Sequence, residues 1–148
     1  MLLFKLTFLI TIILIQNINS KEYEITVFST HTNNTLSTNN GYKFSIVEAI
    51  GNWQDNLEDY GKSSLIFFIE NSKKNSIKFR GLMELTNHRN EKIWFQVLRN
   101  SDLEEAGVGK MIVLSSTKKY IFLEDKVCSY AVNYYEDRSY LKIKCLIN

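Results

Sequence analysis

Eighteen basic and 16 acidic residues in a chain of 148 leave a formal charge of +2, too little to mark a nucleic-acid or strongly membrane-seeking protein. With 45% hydrophobic residues, no proline and two cysteines, the chain can bury a core as one domain without a dense disulfide framework.

Residues 1–20 open the chain. Lys5 precedes the apolar run Leu6–Ile15, and Gln16-Asn17-Ile18-Asn19-Ser20 leads into the charged Lys21-Glu22. A positive start, a short apolar stretch and a small residue at the cut describe a secretory signal peptide. The run is shorter than the roughly 20 residues that cross a bilayer. The expectation is a signal peptide over 1–20 and a single secreted domain over 21–148, with no membrane span after cleavage. The mature charge is then 17 − 16 = +1.

From Lys21 onward the chain alternates apolar and polar residues with period two, the pattern of strands with two unlike faces. Tyr23, Ile25 and Val27 alternate with Glu22, Glu24 and Thr26; Tyr42, Phe44 and Ile46 follow. Between them Thr30–Gly41 reads as a polar loop holding the one Asn-x-Thr sequon, Asn33-Asn34-Thr35, a glycosylation acceptor at Asn33 in a eukaryotic host. Leu65–Ile69 is continuously apolar, which predicts a strand covered on both faces. Strands are also expected at Ile77–Leu85, Ile93–Val97, Met111–Leu114, Tyr120–Leu123, Val127–Tyr135 and Ser139–Ile147. Short helices are expected at Gln54–Tyr60 and after Ser101, where Ser101-Asp102-Leu103-Glu104 forms a capping box and Gly107 and Gly109 supply a stop. About nine short strands and at most two helical turns predict an all-β, antiparallel β-sandwich, with closure toward a barrel as the variant.

The last two strands carry a sharper expectation. If Cys128 and Cys145 face each other across antiparallel strands, every opposed pair has numbers summing to 273, and the turn falls at Glu136-Asp137. Tyr130 then meets Ile143 and Val132 meets Leu141 on the cysteine face; Ser129, Ala131 and Asn133 meet Lys144, Lys142 and Tyr140 on the other. A slip of one residue would mix the faces. A cross-strand disulfide suits an oxidising compartment.

Gly51-Asn52-Trp53 resembles the Gly-x-Trp signature of lipocalins, secreted barrels for apolar ligands. The likeness spans three residues. Lipocalins place it on the first barrel strand, whereas two strand-like segments precede it here, and the chain is not assigned to that family. The acidic clusters Asp55/Glu58/Asp59 and Asp102/Glu104/Glu105 have the oxygen ligands calcium needs but not a calcium-loop spacing, and read as solvated turns. The two histidines, His31 and His88, lie in polar stretches; no nucleophile elbow, zinc helix or phosphate loop is present. A cofactor, a metal site and catalysis are therefore not expected.

Arg138, Tyr140, Lys142 and Lys144 share the polar face of the last hairpin and form the candidate partner-contact face; Lys78 and Arg80 share another. The expected function is non-catalytic binding of an extracellular protein or glycan. The alternative is carriage of a small apolar molecule in a barrel or between sheets.

Overall fold

The computed structural model describes residues 21–72, 76–101 and 107–147. Residues 1–20, where a signal peptide is expected, and the short helix expected after Ser101, with its acidic cluster, lie outside the described residues.

Eight antiparallel strands follow one another around a closed barrel: β1 Lys21–Ser37, β2 Lys43–Asp55, β3 Tyr60–Ser72, β4 Ser76–Asn87, β5 Lys92–Ser101, β6 Gly107–Ser116, β7 Val127–Tyr135 and β8 Arg138–Ile147. The all-β antiparallel expectation takes its barrel form. Closure comes from β1, which pairs with β2 on one side and with β8 on the other, so no sheet edge remains.

Among the described residues the strands number eight rather than nine. Tyr120-Ile121-Phe122-Leu123, read as a strand, belongs to a 3-10 helix, Lys118–Leu123. Tyr120 and Leu123, three residues apart, are both fully buried, which is the period of that helix. Gln54–Tyr60 is a hairpin turn rather than helix, and Gly107 and Gly109 lie inside β6. The loop expected at Thr30–Gly41 is mostly strand, because β1 continues to Ser37 in register with β2. Leu65–Ile69 is covered on one face only: Phe67 is buried, whereas Ile66 and Phe68 are exposed. Leu114 has no counterpart in β5, where Trp94 meets Ser115 and Phe95 meets Val113; this bulge turns Ser116 inward opposite Ile93, where unbroken alternation from Val113 would bring Ser115.

The β7–β8 register is the one read from the cysteines: Tyr130 faces Ile143, Val132 faces Leu141 and Ala131 faces Lys142. Cys128 and Cys145 form a disulfide, their Cα atoms 4.3 Å apart, and both are buried.

Candidate functional site

Alternation aims every second side chain into the barrel, and the lining changes character along its axis. At one end Tyr23, Ile25, Trp53, Leu85, Ile93, Phe95, Leu123 and Ile143 fill the interior. The 3-10 helix lies against this end, with the Tyr120 ring edge-on to Trp53 and the Phe122 ring edge-on to Tyr23.

Two five-residue turns of the same design complete the closed end. Asp55 Oδ1 accepts the Leu57 and Asp59 N–H groups, and Asn87 Oδ1 accepts those of Arg89 and Glu91. Glu58 and Asn90 take the left-handed conformation at the fourth position. Asp59 ends the first turn and is 2% exposed. Its Oδ2 accepts the Tyr120 hydroxyl, Asn87 Nδ2 at 3.0 Å and Lys119 Nζ at 3.0 Å, and its Oδ1 accepts the Tyr60 N–H and lies 3.3 Å from His88 Nδ1. Both hairpin turns and the helix are thus tied to one carboxylate. Of the acidic turn expected to be solvated, Glu58 is exposed and Asp55 half-buried, but Asp59 is buried and acts as a structural plug. Among the described residues, no three His, Cys, Asp or Glu side chains are placed to hold a metal ion.

The opposite end is a mouth with a mixed lining. Ser29, His31, Phe79, Arg99, Tyr130, Tyr134 and Ser139 surround a cavity of about 40 Å³, with Leu65, Phe67, Met83, Val97 and Met111 among the deeper residues. Ser29 and Ser139 share a hydrogen bond of 2.8 Å across the β1–β8 ladder, and the His31 N–H donates to the Asp137 carbonyl. The His31 ring stands edge-on to Tyr134, and among the described residues its buried Nδ1 has no hydrogen-bond partner. The Arg99 guanidinium lies 4.5 Å from the centre of the Phe79 ring and is 4% exposed. Burial pushes the Tyr130 hydroxyl up to about 12, against the opposing charge of Arg99, and raises Tyr134 for the same reason. Both phenols are therefore neutral donors at ordinary pH.

Glycine makes room for this lining. A Cβ on Gly109 would sit 2.5 Å from Tyr130 Cζ, and one on Gly107 would sit 2.5 Å from Arg99 Cζ. Gly109→Ala is expected to displace the Tyr130 ring and lower stability by about 1 kcal/mol, as overpacked sites do. Urea unfolding together with near-ultraviolet circular dichroism checks it; an unchanged aromatic spectrum would contradict the crowding.

The other residues singled out in sequence are dispersed. Asn33 lies exposed in β1 at the mouth rim, accepting Thr35 Oγ1 at 3.1 Å. Arg138, Tyr140, Lys142 and Lys144 do share the outer face of β8, but β1 answers most of their charge. Lys142 pairs with Glu24 at 2.7 Å, and Lys144 pairs with Glu22 at 2.8 Å and Glu24 at 2.7 Å. Tyr140 packs against Phe28. This face is thus close to neutral rather than a basic surface. Sequence reasoning passed over Arg99 and Tyr134, although alternation from Val97 and Val132 assigns both to the interior.

No known family model and no curated protein matches the chain. A crystal structure of a conserved protein of unknown function, RPA1785 from Rhodopseudomonas palustris, is similar over 87% of this chain and 98% of that one, with a TM-score of 0.67 and 8% identity. The likeness is one of fold. It extends around nearly the whole barrel and carries no activity with it.

Proposed function

We propose that the chain is a secreted, non-catalytic recognition protein whose binding surface is the mouth of the barrel. The observation that supports this reading is the change of lining within one rigid barrel: packed and plugged at one end, furnished with hydroxyl, imidazole and guanidinium groups at the other. Polar groups held on strands keep their positions without a ligand, which lowers the entropy cost of binding. The cavity of about 40 Å³ suits a projecting group, such as the end of a glycan or a protein side chain. A drug-sized apolar molecule needs roughly 300 Å³ or more, so the carrier reading has the weaker support. His31 at the mouth and His88 at the plug lie at opposite ends, and among the described residues neither is hydrogen-bonded to a serine, threonine or cysteine side chain. Secretion rests on residues 1–20; the disulfide and the lack, among the described residues, of a helix long and apolar enough to cross a membrane are compatible with it.

A glycan array and a panel of extracellular proteins, probed with the secreted protein, test the reading. Any ligand found should lose about tenfold or more in affinity on Tyr134→Ala or His31→Ala, the loss expected when one contact residue worth about 1.4 kcal/mol is removed. Lys142→Ala should leave it unchanged. The reverse pattern would move the binding surface to the outer face of β8.

A further inference from the structure

The outer wall of β2, β3 and β4 is apolar where it meets water. Ile66 and Phe68 are 47% and 44% exposed, Leu82 is 50% exposed, and Phe44 and Ile46 are also exposed. The ladders set Ile46 opposite Phe68 and Ile66 opposite Leu82, and the Phe44 ring stacks on that of Phe68 at 5.9 Å. Five large apolar side chains therefore form one continuous patch. Such patches on a folded surface mark contact sites.

The charges around the patch have an order. Successive outward positions of β4 are Arg80, Leu82 and Glu84, so the apolar centre has a basic side toward the mouth and an acidic side toward the plug. Lys78 and Lys110 join Arg80 along a hollow on the mouth side, where Glu70 lies opposite Lys78 and leaves the basic groups in excess, and Glu48 lies beside Ile66. Glu84 is held in place, accepting Lys92 Nζ and Trp94 Nε1, each at 2.8 Å, and the Lys92 pair offsets part of the charge on the acidic side.

We propose that this face binds a second copy of the chain. When two such faces are packed with their strands reversed about a two-fold axis near Leu82, Arg80 of each copy lies over Glu84 of the other. Symmetry makes the contact twice, while Ile66, Phe68 and Leu82 lose their exposure to water. A lipid surface fits less well, because it would bring Glu48 and Glu84 against hydrocarbon or anionic headgroups. The patch is on the side wall, so the dimer leaves both mouths open, and its existence does not depend on what the mouth binds.

Sedimentation equilibrium of the secreted protein is expected to show a reversible dimer. Leu82→Asp and Arg80→Glu should each weaken it at least about tenfold, the effect of losing about 1.4 kcal/mol. Arg80→Glu chains and Glu84→Arg chains, each weakened alone because like charges then meet, should form a mixed dimer when combined. A protein monomeric at every accessible concentration, a dimer indifferent to Leu82→Asp, or failure of the two charge variants to pair would overturn the proposal. So would capture of the monomer by anionic phospholipid vesicles through the same residues.

Discussion

Asp59→Ala is expected to destabilise the barrel by about 3 kcal/mol or more, the cost of removing one member of a buried, charge-assisted network. The change strips the acceptor from the Tyr120 hydroxyl, Asn87 Nδ2 and Lys119 Nζ together. Tyr120 is fully buried and cannot turn to water for a replacement. Asp59→Asn, of nearly the same shape, separates the charge from the volume and should cost less. Burial alone would raise the carboxyl, but the hydrogen bonds from Tyr120, Asn87, Lys119 and the Tyr60 N–H outweigh it and hold Asp59 below the usual carboxylate range. A group depressed in the folded state contributes fully above its unfolded value of about 3.9, and that contribution fades as pH falls toward the folded value. The stability gap between wild type and Asp59→Asn should therefore be constant near neutrality and narrow below about pH 4. Urea midpoints measured across that range check it. A gap that widens on acidification would mean that the plug does not rely on the ionised form.

Much of the wall is legible in the sequence, because neighbouring side chains alternate between two faces whatever lies beyond them. Tyr23, Ile25 and Val27, or Ile93, Phe95 and Val97, show their inward aim locally. Closure has no such local mark. It depends on Tyr23 meeting Cys145 and Val27 meeting Leu141, more than a hundred residues away. Runs of apolar residues mislead in two ways. Tyr120–Leu123 contains the same residue types as a strand, and only its burial at intervals of three reveals the 3-10 turn. Leu65–Ile69 suggests a covering layer on both sides, but within the described chain nothing covers Ile66 and Phe68.

The mouth was hidden for a related reason. Thr30–Gly41 is so polar that it reads as a loop, which removes His31 from the interior before alternation can be applied. Carried on from Val27, the same alternation reaches Ser29, His31 and Asn33. The plug was hidden by composition. Asp55, Glu58 and Asp59 look like one solvated cluster, but the turn gives each a different task. Asp55 folds back on the turn's own N–H groups, Glu58 takes the left-handed position, and Asp59 points inward. The matching turn at Asn87–Glu91 repeats the design with one fewer carboxylate at its start.

Replacing both cysteines, Cys128→Ala with Cys145→Ala, is expected to cost about 3 kcal/mol, the stabilisation that a loop of this length gives by restricting the unfolded chain. The separation of 17 residues encloses only the β7–β8 hairpin. The bond thus makes the hairpin easier to form but does not itself close the barrel, which is the work of β1. Its position still matters, because β6 is the least extensively paired part of the wall: β1 meets β2 from Ile25–Asp55 to Ser37–Lys43, while β6 meets β7 only from Gly107 to Ile112. The disulfide lies at the end of that short ladder, where Met111 faces Cys128. In a chain of 148 residues the loss should lower Tm by roughly 10 °C. Most of it should appear as faster unfolding if the hairpin closes late, and as slower folding if it closes early. Stopped-flow folding of the oxidised protein and of the double variant distinguishes the two. Equal stability of the two proteins would mean that β8, held by β1 along Lys21–Thr30, already restrains the hairpin as fully as the bond does.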